Sequence, residues 1–271
     1  MSGAAAIDFR NHRRLAKKWA RAIVYTRGKD KKARLYRDLI KATSNTLGYL
    51  EQAKISLALT SGASLQAEQW HAQVEHYKPL IKHVIEQTQR RVLQGEKEPV
   101  SEKIVSIFET HSDMIIKGSR DIQYGHKLNL SSGKSGLILD LVIETGNPAD
   151  THRSLPMLDR HIKNYAAVPR QLAVDGGYAS KANLDAAKAR GVEDVAFHKK
   201  RGLSIESMVK SQWVYRQLRN FRAGIEAGIS CLKRAYGLSR CTWKGLVHFK
   251  SFVWSSVVAH NLALLARLKP A

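Results

Sequence analysis

Residues 171–180 read QLAVDGGYAS. Leu172, Ala173 and Val174 form a short apolar run of the kind a buried strand uses, and the run stops at Asp175, Gly176 and Gly177. In α/β sheets, ligands collect beyond the carboxyl ends of strands. Glycines there permit unusual backbone angles and close approach. An aspartate in that place presents a carboxylate to a hard cation such as Mg²⁺. The same tetrapeptide also reads as an ordinary turn, in which Asp and Gly serve only the backbone.

Ser180 is placed to cap a helix that runs to about Arg190, and Asp194 to Phe197 reads as another short strand. The basic loop His198-Lys199-Lys200-Arg201-Gly202 follows, and helices are predicted at about 204–219, 219–235 and 245–267. Upstream, Ile104, Val105, Ile107 and Phe108 form a short apolar run with β texture. Tyr124 to Leu130 alternates as one strand, and the turn cluster Ser131 to Gly136 leads into the apolar run Leu137 to Ile143. Two runs joined in this way predict a hairpin. Asp150, in Asn147-Pro148-Ala149-Asp150, is placed to cap a helix to about Tyr165, with Pro156 inside it. The order predicts an α/β fold, a mixed sheet with flanking helices, over residues 99–271.

Residues 1–98 differ in texture. Leu15, Trp19 and Ile23 give an apolar stripe on a basic first helix. Leu35, Leu39, Ile40, Leu47 and Leu50 suggest a second helix, broken at Thr43 to Thr46. A turn at Ser61-Gly62 then precedes a third, through Trp70, Val74, Tyr77, Ile81 and Val84. Spacings of three and four are those of helices. This segment reads as a helical arm or bundle preceding the α/β part.

Charge is distributed unevenly around a net +22: residues 1–50 hold 13 Lys/Arg against 3 Asp/Glu, and residues 201–271 hold 12 against 2. Two basic ends around a nearly neutral middle suit a polyanion, because Lys and Arg release counterions when they meet phosphates. Cys231 and Cys241 form no CxxC pair, which argues against a thiolate metal site. The longest apolar stretch, Phe252 to Ala266, contains His260 and Asn261 and is too short to span a bilayer. The expected setting is a soluble cytoplasmic protein associated with the nucleoid.

A second acid completes the pattern. On the helix predicted through Arg219 to Lys233, Phe221, Ile225 and Leu232 face the core, while Arg219, Arg222, Glu226 and Lys233 share a neighbouring face. One acid among bases suits a metal-binding carboxylate beside phosphate-binding cations. It also suits a plain surface on which Arg222 and Glu226 form an i,i+4 pair. Gly224 and Gly228 flank Glu226 at a cost of about 1 kcal/mol each relative to alanine, and close packing against another backbone is the expected compensation.

The segments KIVSIFETHSD, QYGHKLNL, GNPAD, AVDGGYAS, FRAGIEAGISCLKR and RCTWKGLVHFK, between Lys103 and Leu265, resemble insertion-sequence transposases with a DDE triad on an RNase-H-like fold, most closely the ISNCY group. The resemblance implies that Asp175 is the second catalytic acid and Glu226 the third. It implies two Mg²⁺ (or Mn²⁺) ions and DNA as partner, both transposon ends and target. Arg222, Glu226 and Lys233 fit the signature Tyr-x2-Arg-x3-Glu-x6-Lys, whose tyrosine position is Arg219 here. Arg219, Arg222, Lys233, Lys199, Lys200 and Arg201 are the expected DNA contacts. In such transposases the first acid lies on a strand before a helical insertion. Residues 1–98 resemble that insertion, so the first strand is expected to be missing and Asp113 is the only substitute within the chain. The expectation is then a truncated, inactive transposase fragment that dimerises through the gap. The alternatives are a non-catalytic basic DNA-binding protein that keeps the fold, or an RNase-H-like nuclease.

Overall fold

The computed structural model describes residues 9–60, 64–99, 102–117 and 121–267. The Ser61-Gly62 turn lies outside these. The chain divides into two compact units, Met1–Thr110 and His111–Ala271.

The first unit is helical: α1 (Arg13–Tyr25), α2 (Lys29–Thr60) and α3 (Leu65–Thr88), which runs into a π-helical turn at Gln89–Gln94. Gly95 ends it in the left-handed region, φ 79°. Against expectation, α2 is unbroken at Thr43 to Thr46. The Thr43 and Thr46 hydroxyls donate back to the Leu39 and Ala42 carbonyls, each at 2.9 Å, so they join the helix instead of interrupting it. The run Ile104 to Phe108 forms no strand. It is held as a loop on α3, where the Gln87 side chain brackets Ile104 by accepting from its N–H and donating to its carbonyl.

The second unit opens with two antiparallel hairpins, β1 (Asp113–Lys117) with β2 (Asp121–Gly125), and β3 (Leu128–Ser132) with β4 (Ile138–Ile143). The single strand expected over Tyr124 to Leu130 is therefore two strands of different hairpins, separated at His126-Lys127 beside Gly125, φ 145°. Next come α4 (Ser154–Tyr165), β5 (Gln171–Val174), α5 (Lys181–Ala189) and β6 (Asp194–Phe197), with β6 parallel to β5. Then follow α6 (Ile205–Met208), α7 (Gln212–Ala235) and α8 (Leu246–Leu265). The helix boundary expected at 219 falls instead at Val209–Ser211. Val209 is extended, and the Ser211 hydroxyl caps α7 by accepting from the Val214 N–H.

Among the described residues the strands make three two-stranded sheets: β3 pairs only with β4, and β5 only with β6. Each pair has its own core. Val195, Phe197, Leu184, Met208, Val214 and Leu218 close one around β5 and β6, while Leu141, Leu232, Val253 and Val257 close the other around β3 and β4. Helix α7 serves both: its first turns pack in the first core and Leu232 in the second. Glu226 sits in the stretch between. Among the described residues no helix is long and apolar enough to cross a membrane.

Candidate functional site

Asp175 ends β5. The His198 N–H donates to the Val174 carbonyl at 3.0 Å, which carries the parallel ladder one step further and lays the basic loop beside the Asp175 turn. Both glycines of that turn are there for close approach. A Cβ on Gly176 would lie 2.7 Å from Lys199 Cβ, and one on Gly177 would lie 2.6 Å from Asp150 Oδ2. The turn is thus clamped between the basic loop and the start of the α4 region.

Glu226 meets Asp175 through a shared cation. The Arg222 guanidinium, one turn back on α7, places Nη2 3.2 Å from Asp175 Oδ1 and 2.9 Å from Glu226 Oε1. Two contacts meeting at one nitrogen put these oxygens no more than about 6 Å apart, within reach of ions roughly 3.5–4 Å from one another. The carboxylates are open to solvent, 54% and 63% exposed at the side chain, while Arg222 is 15% exposed. The arrangement is a pair of accessible acids with a cation tucked beneath them.

Other expected site residues gather nearby or stand apart. Lys200 Nζ and the Arg219 guanidinium carbon each lie 5.8 Å from the centre of the Tyr215 ring, which brings the basic loop and α7 together. Tyr215 is held by a 2.9 Å hydrogen bond from its hydroxyl to the Phe197 carbonyl. Arg201 forms the turn of the loop at φ 45°. Lys233 lies in the last turn of α7. Asp113 turns to His126, whose Nδ1 is 3.5 Å from its Oδ2, and His126 in turn stacks on His111. Among the described residues no group of three or more His, Cys, Asp or Glu side chains is placed to hold a metal ion. Trp243 packs edge-on against Phe252 of α8, as an anchor would.

Behind the acid pair lies a polar network that the sequence did not announce. The Tyr178 hydroxyl donates to Asn129 Oδ1 at 2.8 Å, Asn129 Nδ2 donates to Glu144 Oε1 at 2.6 Å, and Arg153 Nη2 pairs with Glu144 Oε2 at 2.7 Å. Burial, with Asp150, Asp175 and Glu144 close by, pushes the Tyr178 hydroxyl up to about 12. Asp150 is not the helix cap expected of it. Its carboxylate pairs with Lys127 at 2.5 Å, and a 3-10 turn at Asp150–His152 intervenes before α4. The network ties the β3–β4 hairpin to the start of α4 and to the Asp175 turn, which no backbone ladder joins to it.

The glycines beside Glu226 are a further correction. Nothing lies within 4 Å of a Cβ placed on Gly224 or Gly228. They face a cavity of about 350 Å³ lined by Leu130, Ile138, Phe221, Ile225 and Leu264 among others, and no backbone packs on them. Gly224→Ala and Gly228→Ala should therefore each stabilise the chain by about 0.5–1 kcal/mol, the usual gain of alanine in a helix. Urea denaturation would measure it, and a loss of stability in either variant would contradict the open space seen here.

The family model described as Transposase DDE domain matches residues 116–262, a stretch that holds both Asp175 and Glu226. No curated protein and no solved structure matches the chain.

Proposed function

From the chain's membership of the transposase DDE domain family, we propose that Asp175 and Glu226 are two of the carboxylates of a DNA-transposing phosphoryl-transfer site, in an ISNCY-like member built on an RNase-H-like fold. The observation that carries this reading is the meeting of the two acids at Arg222, across 51 residues of sequence. Exposed carboxylate oxygens are the donor type Mg²⁺ or Mn²⁺ takes, so the residues present fit such an ion in kind. When bound, a divalent ion would lower the pKa of an attacking water or 3′-hydroxyl and stabilise charge on the leaving oxygen.

The chain's own residues would supply the rest. Asp175 and Glu226 hold the ion from two independent elements, a strand end and a helix. Lys199, Lys200, Arg201 and Arg219 offer cations to the DNA backbone on the side where the basic loop meets α7, and Lys233 extends that row along the helix. Arg222 is divided between two tasks. While it neutralises the acids it is withheld from phosphate, and an ion that takes over the acids frees it for DNA.

The test is Mn²⁺ binding to the full chain, followed by electron paramagnetic resonance. Asp175→Asn and Glu226→Gln should each weaken it at least tenfold, and unchanged binding in both would overturn the assignment. A second reading, a DNA-binding chain that keeps the fold without cutting, draws support from Asp113, which turns to His126 and, among the described residues, joins no group of three metal-ligating side chains. Nicking of supercoiled plasmid with Mn²⁺ separates the two. Nicking lost in Asp175→Asn favours the enzyme, and Mn²⁺ binding without nicking favours the second reading.

A further inference from the structure

Helix α1 carries Arg13, Arg14, Lys17, Lys18 and Arg21. At 100° per residue these occupy one arc of the helix, opposite Ala16, Trp19, Ala22 and Ile23. All five cations are exposed, whereas Ile23 is buried and the other three are half-buried. The apolar stripe is spent on α2: His12, at the cap of α1, stacks on Tyr49 and bonds Thr46. What α1 offers outward is cationic.

Nothing among the described residues neutralises that face. Three cations of the later part of this unit do have ion-pair partners: Lys54 with Glu75, Lys78 with Glu51, Arg90 with Glu98. Among the described residues, the side chains of Arg13, Arg14, Lys17, Lys18 and Arg21 have no ion pair or hydrogen bond. The first turn of α1 also contains no acid, so Arg13 and Arg14 stand where the helix dipole disfavours cations. Like charges at i,i+4, as in Arg13–Lys17 and Arg14–Lys18, add to the cost. An arrangement locally unfavourable by itself is relieved by a dense external anion.

We propose that this outer face of α1 is a binding surface for the phosphate backbone of duplex DNA, separate from the acid pair and outside the region matched by the transposase family. Along the axis, Arg13 to Arg21 spans about 12 Å at 1.5 Å per residue, while a duplex presents one charge per about 1.7 Å. The row therefore meets several phosphates at once. Contacts of this kind fix position and carry no base sequence. The choice of DNA among polyanions rests on the proposed function; the cationic surface does not. An anionic bilayer is disfavoured because the apolar stripe that would enter it is packed on α2.

The experiment uses the full chain, a 30-base-pair duplex of arbitrary sequence and a KCl series read by fluorescence anisotropy. Replacing all five cations by glutamine should flatten the salt dependence by about 2–4 in log–log slope, at close to 0.9 for each phosphate no longer neutralised. Exchanging Arg for Lys and Lys for Arg at the same positions should restore it. An unchanged slope in the glutamine variant overturns the proposal, as does tighter binding of the parent chain to phosphatidylserine vesicles than to DNA. If circular dichroism shows that the glutamine variant has lost helix, acetylation of Lys17 and Lys18 in the parent chain decides. DNA should protect both lysines, and equal labelling with and without DNA refutes the surface. Mn²⁺ binding is read separately on the same proteins, so failure of this surface and failure of the acid pair are distinct results.

Discussion

Arg222→Gln should tighten Mn²⁺ binding about tenfold while weakening DNA binding. In the parent chain the guanidinium holds Asp175 Oδ1 and Glu226 Oε1 at 3.2 and 2.9 Å. An incoming ion must displace it from both. Removing the cation leaves two negative charges within about 6 Å of each other, a repulsion of about 3 kcal/mol at an effective dielectric constant near 20. Both acids are more than half exposed, so solvent reduces this to about 1–2 kcal/mol, and 1.4 kcal/mol corresponds to tenfold in affinity. A divalent ion recovers that repulsion. The cost to the fold is small, because ion pairs open to solvent contribute about 0–1 kcal/mol. Equal or weaker Mn²⁺ affinity in Arg222→Gln, by paramagnetic resonance or calorimetry, would show that the guanidinium and the ion do not compete. Stronger Mn²⁺ binding without loss of DNA affinity would retain the competition but remove Arg222 from the DNA contacts.

The parts of this site that were legible are those written in local pattern. An apolar run ending in Asp-Gly-Gly gives strand β5 and the turn after it, and the common face of Arg222, Glu226 and Lys233 gives a helix. That Arg222 serves Asp175 as well as Glu226 was not legible. An i,i+4 pair announces itself at fixed spacing, but a partner 47 positions away depends on how β5 and α7 pack. The misread boundaries have similar causes. Thr43 and Thr46 look like breakers because their hydroxyls compete for backbone, yet in α2 the competition is resolved within the helix. Alternation over Tyr124 to Leu130 is continuous in composition, but Gly125 turns the chain between two hairpins. Asp150 has the composition of a cap, but its carboxylate is taken by Lys127, which sits beside Glu144 at the open end of the β3–β4 hairpin. The network from Tyr178 to Arg153 spans four segments, and no spacing rule connects them.

That network should dominate the stability of the second unit. Glu144 is 5% exposed at its side chain and accepts from Asn129 while pairing with Arg153. Removing one partner of a buried pair costs about 3–5 kcal/mol, since the remaining charge stays desolvated. Arg153 is 30% exposed, and water reaching the space it leaves should hold the loss in Arg153→Ala to about 2–3 kcal/mol. Tyr178→Phe leaves Asn129 Oδ1 without its donor and should cost about 1–2 kcal/mol. Both act through Asn129 and Glu144, so the double variant should fall short of additivity by about 0.5 kcal/mol or more. The two substitutions separate by pH. The folded chain holds the Tyr178 proton more tightly than the unfolded chain, whose tyrosines ionise near pH 10. Its contribution is therefore complete below about pH 10 and is lost as pH rises towards about 12. Urea midpoints at about pH 9 and about pH 11 should converge between the parent and Tyr178→Phe, whereas Arg153→Ala should retain the parent's alkaline decline. If Tyr178→Phe declines between those pH values as steeply as the parent, the hydroxyl is not the group that titrates, and the link from β3 to the Asp175 turn does not run through it.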